Sequence, residues 1–181
     1  DSAPDFTFID IDGKEFATAD FRGTTVVLSF VATRVVFCKI QVCILVNLSK
    51  YLQDDVVIVL IGASENALGI GGDTDEELQK FREECDFEGI VAGDKRGITE
   101  NYNVTYVPTV FIIDQIGYIR YKHVGVASAG EQVLLGELRA IVPEFSQPLI
   151  LLSIIVFVTP VIILLSRNGK TLCQNATLNR S

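Results

Sequence analysis

A buried strand that leads directly into a helix beginning near a cysteine is the feature that most constrains this chain. Residues 26–31 read Val-Val-Leu-Ser-Phe-Val, an apolar run with the length and composition of a strand inside a sheet. A short turn follows, and Cys38 stands near the start of the next predicted helix. This unit would present the sulfur at the end of a sheet, beside a helix N-terminus, where thiolates are stabilised.

Strand and helix patterns alternate along the first 143 residues. Residues 5–10 and 15–16 flank Asp12-Gly13, which is a hairpin signal. Thr74 and Glu77 have the spacing of a capping box. Further strands are predicted at 56–61, 89–92, 109–114 and 118–123, and helices at 37–52, 75–85, 96–102 and 131–141. The order predicts an α/β domain with a mixed central sheet flanked by helices.

The character of the sequence changes after this domain. Residues 144–148 read as a linker, and 149–166 form an apolar run long enough to cross a bilayer as one helix. The alternative, a buried helix of a soluble protein, conflicts with a run that is apolar on every side. Residues 167–181 form a short basic tail without acidic residues. The positive charges predict a cytoplasmic tail and a folded domain on the extracytoplasmic side.

The charge and the cysteine spacing narrow the classes of function. A net charge of −8 argues against a nucleic-acid partner. The four cysteines and the single histidine lack metal-ligand spacing, so no metal and no cofactor are predicted. Cys38 and Cys43 are five residues apart on one predicted helix and would point to different faces. Cys43 and Cys85 are interpreted as small buried apolar residues.

A second motif stands before the strand predicted at 109–114. It reads Tyr106-Val107-Pro108-Thr109, and the Val107–Pro108 bond is a candidate cis peptide. Taken alone, an ordinary proline at the entry of a strand would explain the same residues.

Taken in order, these motifs resemble the thioredoxin superfamily, and in particular its membrane-anchored TlpA/ResA-like thiol–disulfide oxidoreductases, which are related to the AhpC/TSA group. The resemblance covers about residues 3–142. Ala3-Pro4-Asp5-Phe6, Asp12-Gly13-Lys14 and Asp20-Phe21-Arg22-Gly23 are similar to the family's opening, and Val107-Pro108-Thr109 is similar to its cis-proline loop. The resemblance implies a thioredoxin-like fold.

The active-site motif departs from the family pattern, W-A-T-W-C-P-x-C. Here residues 31–38 read Val-Ala-Thr-Arg-Val-Val-Phe-Cys. The attacking cysteine is replaced by Val35, while Cys38 stands at the position of the resolving cysteine. Since valine cannot attack a disulfide, no dithiol cycle can run between positions 35 and 38. The peroxidase pattern P-x-x-x-[TS]-x-x-C also fails, because valines occupy its proline and hydroxyl positions.

Three interpretations of Cys38 remain open. In the first, Cys38 is a lone nucleophile, and the positive charge of Arg34 favours its thiolate form. In the second, it is an inert remnant that the fold shields. In the third, the sequence has been altered at this point. For Arg34 the alternative is a solvated surface charge.

The resemblance implies two hypotheses for function. The first is disulfide reduction or cytochrome c maturation on thiol- or disulfide-containing client proteins, with a membrane redox partner. Its predicted catalytic positions are Val35, Cys38 and Pro108, and its predicted substrate contacts are Arg34, Val107 and Thr109. The second is a redox-inactive binding module that keeps the same groove and holds client proteins or a membrane partner.

Overall fold

The computed structural model describes residues 1–52, 55–64, 69, 72–126 and 131–142. All of them belong to the structural unit Asp1–Pro143. The predicted linker, membrane helix and basic tail lie outside the described residues. Within the described part of the chain, no helix has the length and apolar character needed to cross a membrane.

A five-stranded mixed sheet forms the centre of the fold, in the order β5-β4-β3-β6-β7. Strand β3 pairs parallel with β4 and antiparallel with β6, and β1 and β2 form a separate antiparallel hairpin. The strands are β1 (Thr7–Ile9), β2 (Glu15–Ala17), β3 (Thr25–Val31), β4 (Val56–Gly62), β5 (Ile90–Gly93), β6 (Thr109–Ile113) and β7 (Ile119–Val124). The mixed sheet confirms the predicted class.

Four α-helices accompany the sheet in the described residues, together with a short 3-10 helix at Thr18–Phe21. They are α1 (Val36–Ser49), α2 (Asp75–Glu84), α3 (Ile98–Asn101) and α4 (Glu131–Ile141). The capping box predicted for α2 is present, since Glu77 N–H donates to Thr74 Oγ1 (3.2 Å) and Thr74 N–H donates to the Glu77 carboxylate (2.9 Å). Helix α3 is shorter than predicted because it begins after Gly97, whose φ of 76° is left-handed.

Strand β3 separates two apolar clusters because successive side chains of a strand point to opposite faces. Val27 and Val31 enter a cluster with residues of α1, α2 and α4, while Leu28 and Phe30 enter an aromatic cluster under the β1–β2 hairpin. All seven residues of β3 are buried. The strand is therefore held on both faces and along both edges.

The buried stripe of α1 differs from the predicted one. The apolar residues Ile40, Ile44, Leu45 and Leu48 predict a buried stripe from the sequence, but Ile40 is 44% exposed and Ile44 is only partly buried. The stripe instead runs through Cys38, Val42, Leu45 and Leu48, all fully buried. Successive residues of this stripe are four, three and three positions apart, which places them on one face of the helix. Ile40 lies outside that face.

Candidate functional site

The turn after β3 brings Val35 and Cys38 to the first turn of α1. Val35 is the N-cap residue, and its N–H donates to the carbonyl oxygen of Ala32 at 3.0 Å. The N–H of Cys38 donates in turn to the carbonyl oxygen of Val35 at 2.9 Å. The Val35 side chain is partly buried and packs against the apolar cluster that contains Cys38. An apolar side chain therefore occupies the place where the resemblance expects an attacking sulfur.

The Cys38 thiol is fully buried. Burial raises its pKa to about 11; the backbone N–H of Ala32, 3.3 Å from Sγ, lowers the pKa, and the negative charge of Asp73 raises it. Exchange begins with a thiolate that can reach a disulfide sulfur, and Cys38 has neither the ionisation nor the access. Among the interpretations of Cys38, the geometry favours the shielded remnant.

Arg34 does not provide the compensating charge considered for Cys38. Its guanidinium lies 3.6 Å from the carboxylate of Glu77 and donates weakly to the carbonyl of Gly72 at 3.4 Å. The charged side chain that acts on Cys38 is Asp73, which accepts from the N–H of Thr33 (3.0 Å) and from its hydroxyl (2.6 Å). Arg34 is therefore a half-exposed surface residue that joins the turn to the start of α2.

The loop before β6 has the second predicted motif. The Val107–Pro108 bond is cis, Pro108 is buried, and Val107 packs partly against both apolar clusters. Thr109 is buried, and its hydroxyl donates to the carbonyl of Tyr106 at 2.7 Å. Thr109 was predicted to contact substrate, but here its hydroxyl is used inside the loop.

The two motifs meet at one end of the sheet. In the antiparallel pair of β3 and β6, Phe30 lies opposite Thr109. The end of β3 therefore lies beside the beginning of β6. The turn leading to Cys38 is thus at the same end of the sheet as Pro108. Val35 and Val107 both pack on the cluster that includes Cys38. All six predicted site residues lie at this end of the sheet, although the Arg34 guanidinium contacts Glu77 and Gly72 and the Thr109 hydroxyl contacts the carbonyl of Tyr106.

Three apolar residues at this end of the sheet are exposed, and the sequence motifs did not indicate them. Val36 is 73% exposed, Phe37 63% and Tyr106 70%. They stand beside the predicted positions, but an apolar residue next to a motif gives no signal of exposure before the fold is known. We term these three residues, together with Val35 and Val107 at the same end of the sheet, the groove rim, after the predicted groove.

The structure corrects the interpretation of Cys43. Cys85 is buried, as predicted, but Cys43 is exposed on α1. The exposed face follows from helical spacing, because Cys43 is one residue past the buried Val42. No group of three or more His, Cys, Asp or Glu side chains that could hold a metal ion occurs among the described residues.

Comparison with known proteins agrees with this geometry. A family model described as Redoxin matches residues 1–137. The chain belongs to the Redoxin family. This Redoxin chain is 33% identical to the thiol-disulfide oxidoreductase ResA of Bacillus thuringiensis over 119 residues, 65% of this chain and 64% of ResA. It is 28% identical to the thioredoxin-like protein YneN of Bacillus subtilis over 129 residues, 71% of this chain and 73% of YneN.

A solved structure shows the same architecture. The crystal structure of a Chlorobium tepidum protein classed as a thiol:disulfide interchange protein, DsbE, superposes with a TM-score of 0.65 at 26% identity. The match covers 78% of this chain and 95% of that protein. The predicted resemblance to TlpA/ResA-like proteins of the thioredoxin superfamily is confirmed.

The burial of Cys38 predicts a low reactivity toward alkylating reagents. At pH 8 a thiol with a pKa of about 11 is roughly one-thousandth ionised, so iodoacetamide should modify Cys38 at least about 100-fold more slowly than exposed Cys43. Timed quenching followed by mass spectrometry of the peptides measures both rates. Guanidinium chloride should abolish the difference. Equal rates in the folded protein would contradict the burial of this thiol.

Proposed function

We propose that this Redoxin domain binds extended segments of client proteins at the groove rim, without exchanging disulfides through Cys38. The observation that carries the proposal is the full burial of Cys38 behind Val35. Relatives of this chain are named thiol-disulfide oxidoreductases, and these names support the proposal that its clients contain thiols or disulfides. The domain would retain the part of the site that holds such a client and lack the atom that begins the exchange.

The surface around the turn fits a polypeptide partner. Most of the surface of three large apolar side chains is exposed to water, namely Val36, Phe37 and Tyr106. A partner that covers these side chains is stabilised by the hydrophobic effect. Asp73 and Thr33 fix the turn on one side, and the β3–β6 pairing fixes the loop on the other. A rim built on fixed elements loses little conformational entropy when a partner binds.

Disulfide exchange through Cys38 would need a conformational change that exposes its sulfur. The thiol lies in the cluster that includes Val31 and Val42, and both of these residues are fully buried. Opening this contact would expose core surface of β3 and α1 together. The binding hypothesis needs no such opening, because its contact residues are already exposed.

Binding should depend on the rim and be independent of the thiol. We expect Phe37→Ser to weaken binding of reduced, carboxymethylated insulin B chain about 10-fold, since the loss of one buried aromatic contact at an interface costs roughly 1.4 kcal/mol or more. Fluorescence anisotropy of the labelled chain measures the affinity. Tyr51→Ser is the matched control, because Tyr51 is 59% exposed just after the other end of α1. Equal losses in both variants would overturn the proposed location.

A restored motif tests whether the scaffold still aligns a disulfide. We expect the Val35→Cys/Val36→Pro variant to reduce insulin at least about 10-fold faster than the wild type, because a proline is compatible with the first helical position and the new sulfur stands at a helix N-terminus. Turbidity of precipitating B chain follows the reaction.

Two controls give this assay its meaning. Adding Cys38→Ser to the restored variant should remove the gain, whereas Cys38→Ser in the wild type should leave the rate unchanged. A wild-type rate that falls with Cys38→Ser would contradict the proposal and favour the lone-nucleophile hypothesis. A restored variant without any gain would show that the rim does not position a disulfide.

We further propose that residues 149–166 anchor the protein in a membrane, with the domain on the extracytoplasmic side. The support is the sequence alone: 149–166 carry no charge, and the next residues include Arg167 and Lys170. The groove rim would then face clients outside the cytoplasm, where disulfides persist. A membrane redox partner remains part of the enzyme hypothesis, not of this one.

The anchor and its direction can be tested on the full chain. Ile155→Arg should release the protein from membranes during carbonate extraction, because a charge at mid-span costs roughly 3 kcal/mol, whereas Ile155→Leu should remain. In intact cells, a membrane-impermeant maleimide should label exposed Cys43 but not Cys173, which lies in the tail. Labelling of Cys173 alone would reverse the proposed direction, and release of every variant would exclude an anchor.

A further inference from the structure

Helices α1 and α2 bring two cysteines together outside the Val35–Cys38 turn. Cys43 lies on the exposed side of α1, and Cys85 is the residue that ends α2. The Cys43 side chain lies close enough to Cys85 to raise the pKa of the Cys85 thiol. Both are free thiols in the structure. Two neighbouring thiols on different helices can form a bond that a single cysteine cannot.

An ion pair holds the two helices in this register. Lys39 lies one turn before Cys43 on α1, and Glu84 directly precedes Cys85. The Lys39 ammonium lies 3.0 Å from the Glu84 carboxylate. The pKa of Lys39 is raised first by its hydrogen bond to Glu84 and the charge of Glu84, and also by charge on Cys85 and Cys43. The ammonium therefore lies within electrostatic reach of both sulfurs.

The two thiols differ in access. Cys43 is exposed, whereas Cys85 is only 6% exposed and belongs to the apolar cluster. The pKa of Cys85 is raised to about 11, first by burial and also by charge on Cys43, while the Lys39 ammonium acts to lower it. An accessible thiol that reacts first, next to a shielded thiol that resolves the product, is the arrangement of redox-responsive cysteine pairs.

We propose that Cys43 and Cys85 form a second thiol–disulfide site, separate from the Val35–Cys38 position, which reacts reversibly with small-molecule disulfides. The Lys39–Glu84 ion pair beside both cysteines, the proximity of the two thiols and the difference in their exposure carry the proposal. It does not depend on client binding at the groove rim. It assigns redox chemistry to a chain whose family motif lacks the attacking cysteine.

The reaction has two exchange steps. The Cys43 thiolate attacks one sulfur of an external disulfide, so that a bond forms between Cys43 and that sulfur while the external disulfide bond breaks and releases one thiolate. Cys85 then loses its proton to solvent and attacks the Cys43 sulfur, which releases the second external thiolate. Two protein thiols are oxidised to one disulfide, and one external disulfide is reduced to two thiols. A dithiol reductant reverses both steps.

The location of Cys85 permits the small movement that bond formation needs. Its N–H donates to the carbonyl of Phe81 at 3.1 Å, so Cys85 closes the last turn of α2. The next residue, Asp86, has a φ of 54°, and the chain leaves the helix there. A helix end can shift its side chain with fewer lost hydrogen bonds than a helix interior. The bond would join α1 to α2 across a loop that includes β4.

The test uses the full chain with Cys173→Ser, incubated with glutathione disulfide, acid-quenched, alkylated and analysed by mass spectrometry. We expect a peptide pair linked through Cys43 and Cys85, and a melting temperature higher by about 10 °C because the bond closes a long loop. Dithiothreitol should reverse both. A chain in which Cys43 does not react, or stays a glutathione adduct while Cys85 is present, would overturn the proposal.

Single variants separate the roles of the two thiols. Cys85→Ala should stop at the Cys43–glutathione adduct, and Cys43→Ser should leave Cys85 unmodified, both without the rise in melting temperature. Cys38→Ser is the matched control and should form the linked pair like the parent chain. Failure of Cys38→Ser to do so would assign the chemistry to Cys38 and contradict the proposal.

Lys39 is a positioning residue in this scheme, and the rate of closure tests it. Lys39→Gln removes the charge that lowers the pKa of Cys85, so conversion of the glutathione adduct to the linked pair should slow about threefold at pH 8, with its pH profile displaced to higher pH. Glu84→Gln removes the ion pair but keeps the ammonium. An unchanged profile in Lys39→Gln would show that Lys39 has a structural role only.

Discussion

Strand β3 lies between β4 and β6 with every residue buried, and the site depends on that confinement. The parallel partner fixes its register on one edge and the antiparallel partner on the other. The two faces of β3 enter separate apolar clusters, so a register slip of one residue would move each β3 side chain into the opposite cluster. The end of β3, and with it the turn and the first residues of α1, is therefore fixed at the same end of the sheet as Pro108, without any contribution from a disulfide at position 35.

The replacement at position 35 changes chemistry more than architecture. Val35 makes the N-cap backbone bonds and adds apolar contact with the cluster around Cys38. Cys38 in turn behaves as a small core residue whose sulfur accepts a hydrogen bond from the N–H of Ala32. The same turn that would activate a thiol at position 35 thus shields the one at position 38. A scaffold can lose its first reactive atom and keep the surface that receives a partner.

The sequence predicted those elements whose signals are local. The apolar run of β3, the capping box of Thr74 and the helix Glu131–Ile141 were all recognisable because spacing and composition decide them. The exposure of individual side chains was harder to predict, as Ile40 and Cys43 show. Which side of α1 is buried depends on the elements that pack against this helix, and the local sequence does not contain that information. The proximity of Cys43 to Cys85 concerns residues 42 positions apart in the chain, and no local sequence pattern indicates it.

Helix α2 is attached to the α1 region at both of its ends. Asp73, just before its N-cap, accepts two hydrogen bonds from Thr33, and Glu84 at its last turn pairs with Lys39. The helix therefore works as a strut between the turn and the middle of α1. A displacement of its C-terminal end toward α1 would therefore act on the same helix that supports the turn at Thr33. Cys85 and the turn before α1 thus share one supporting helix, although the groups that react and the groups that receive a partner share no atom.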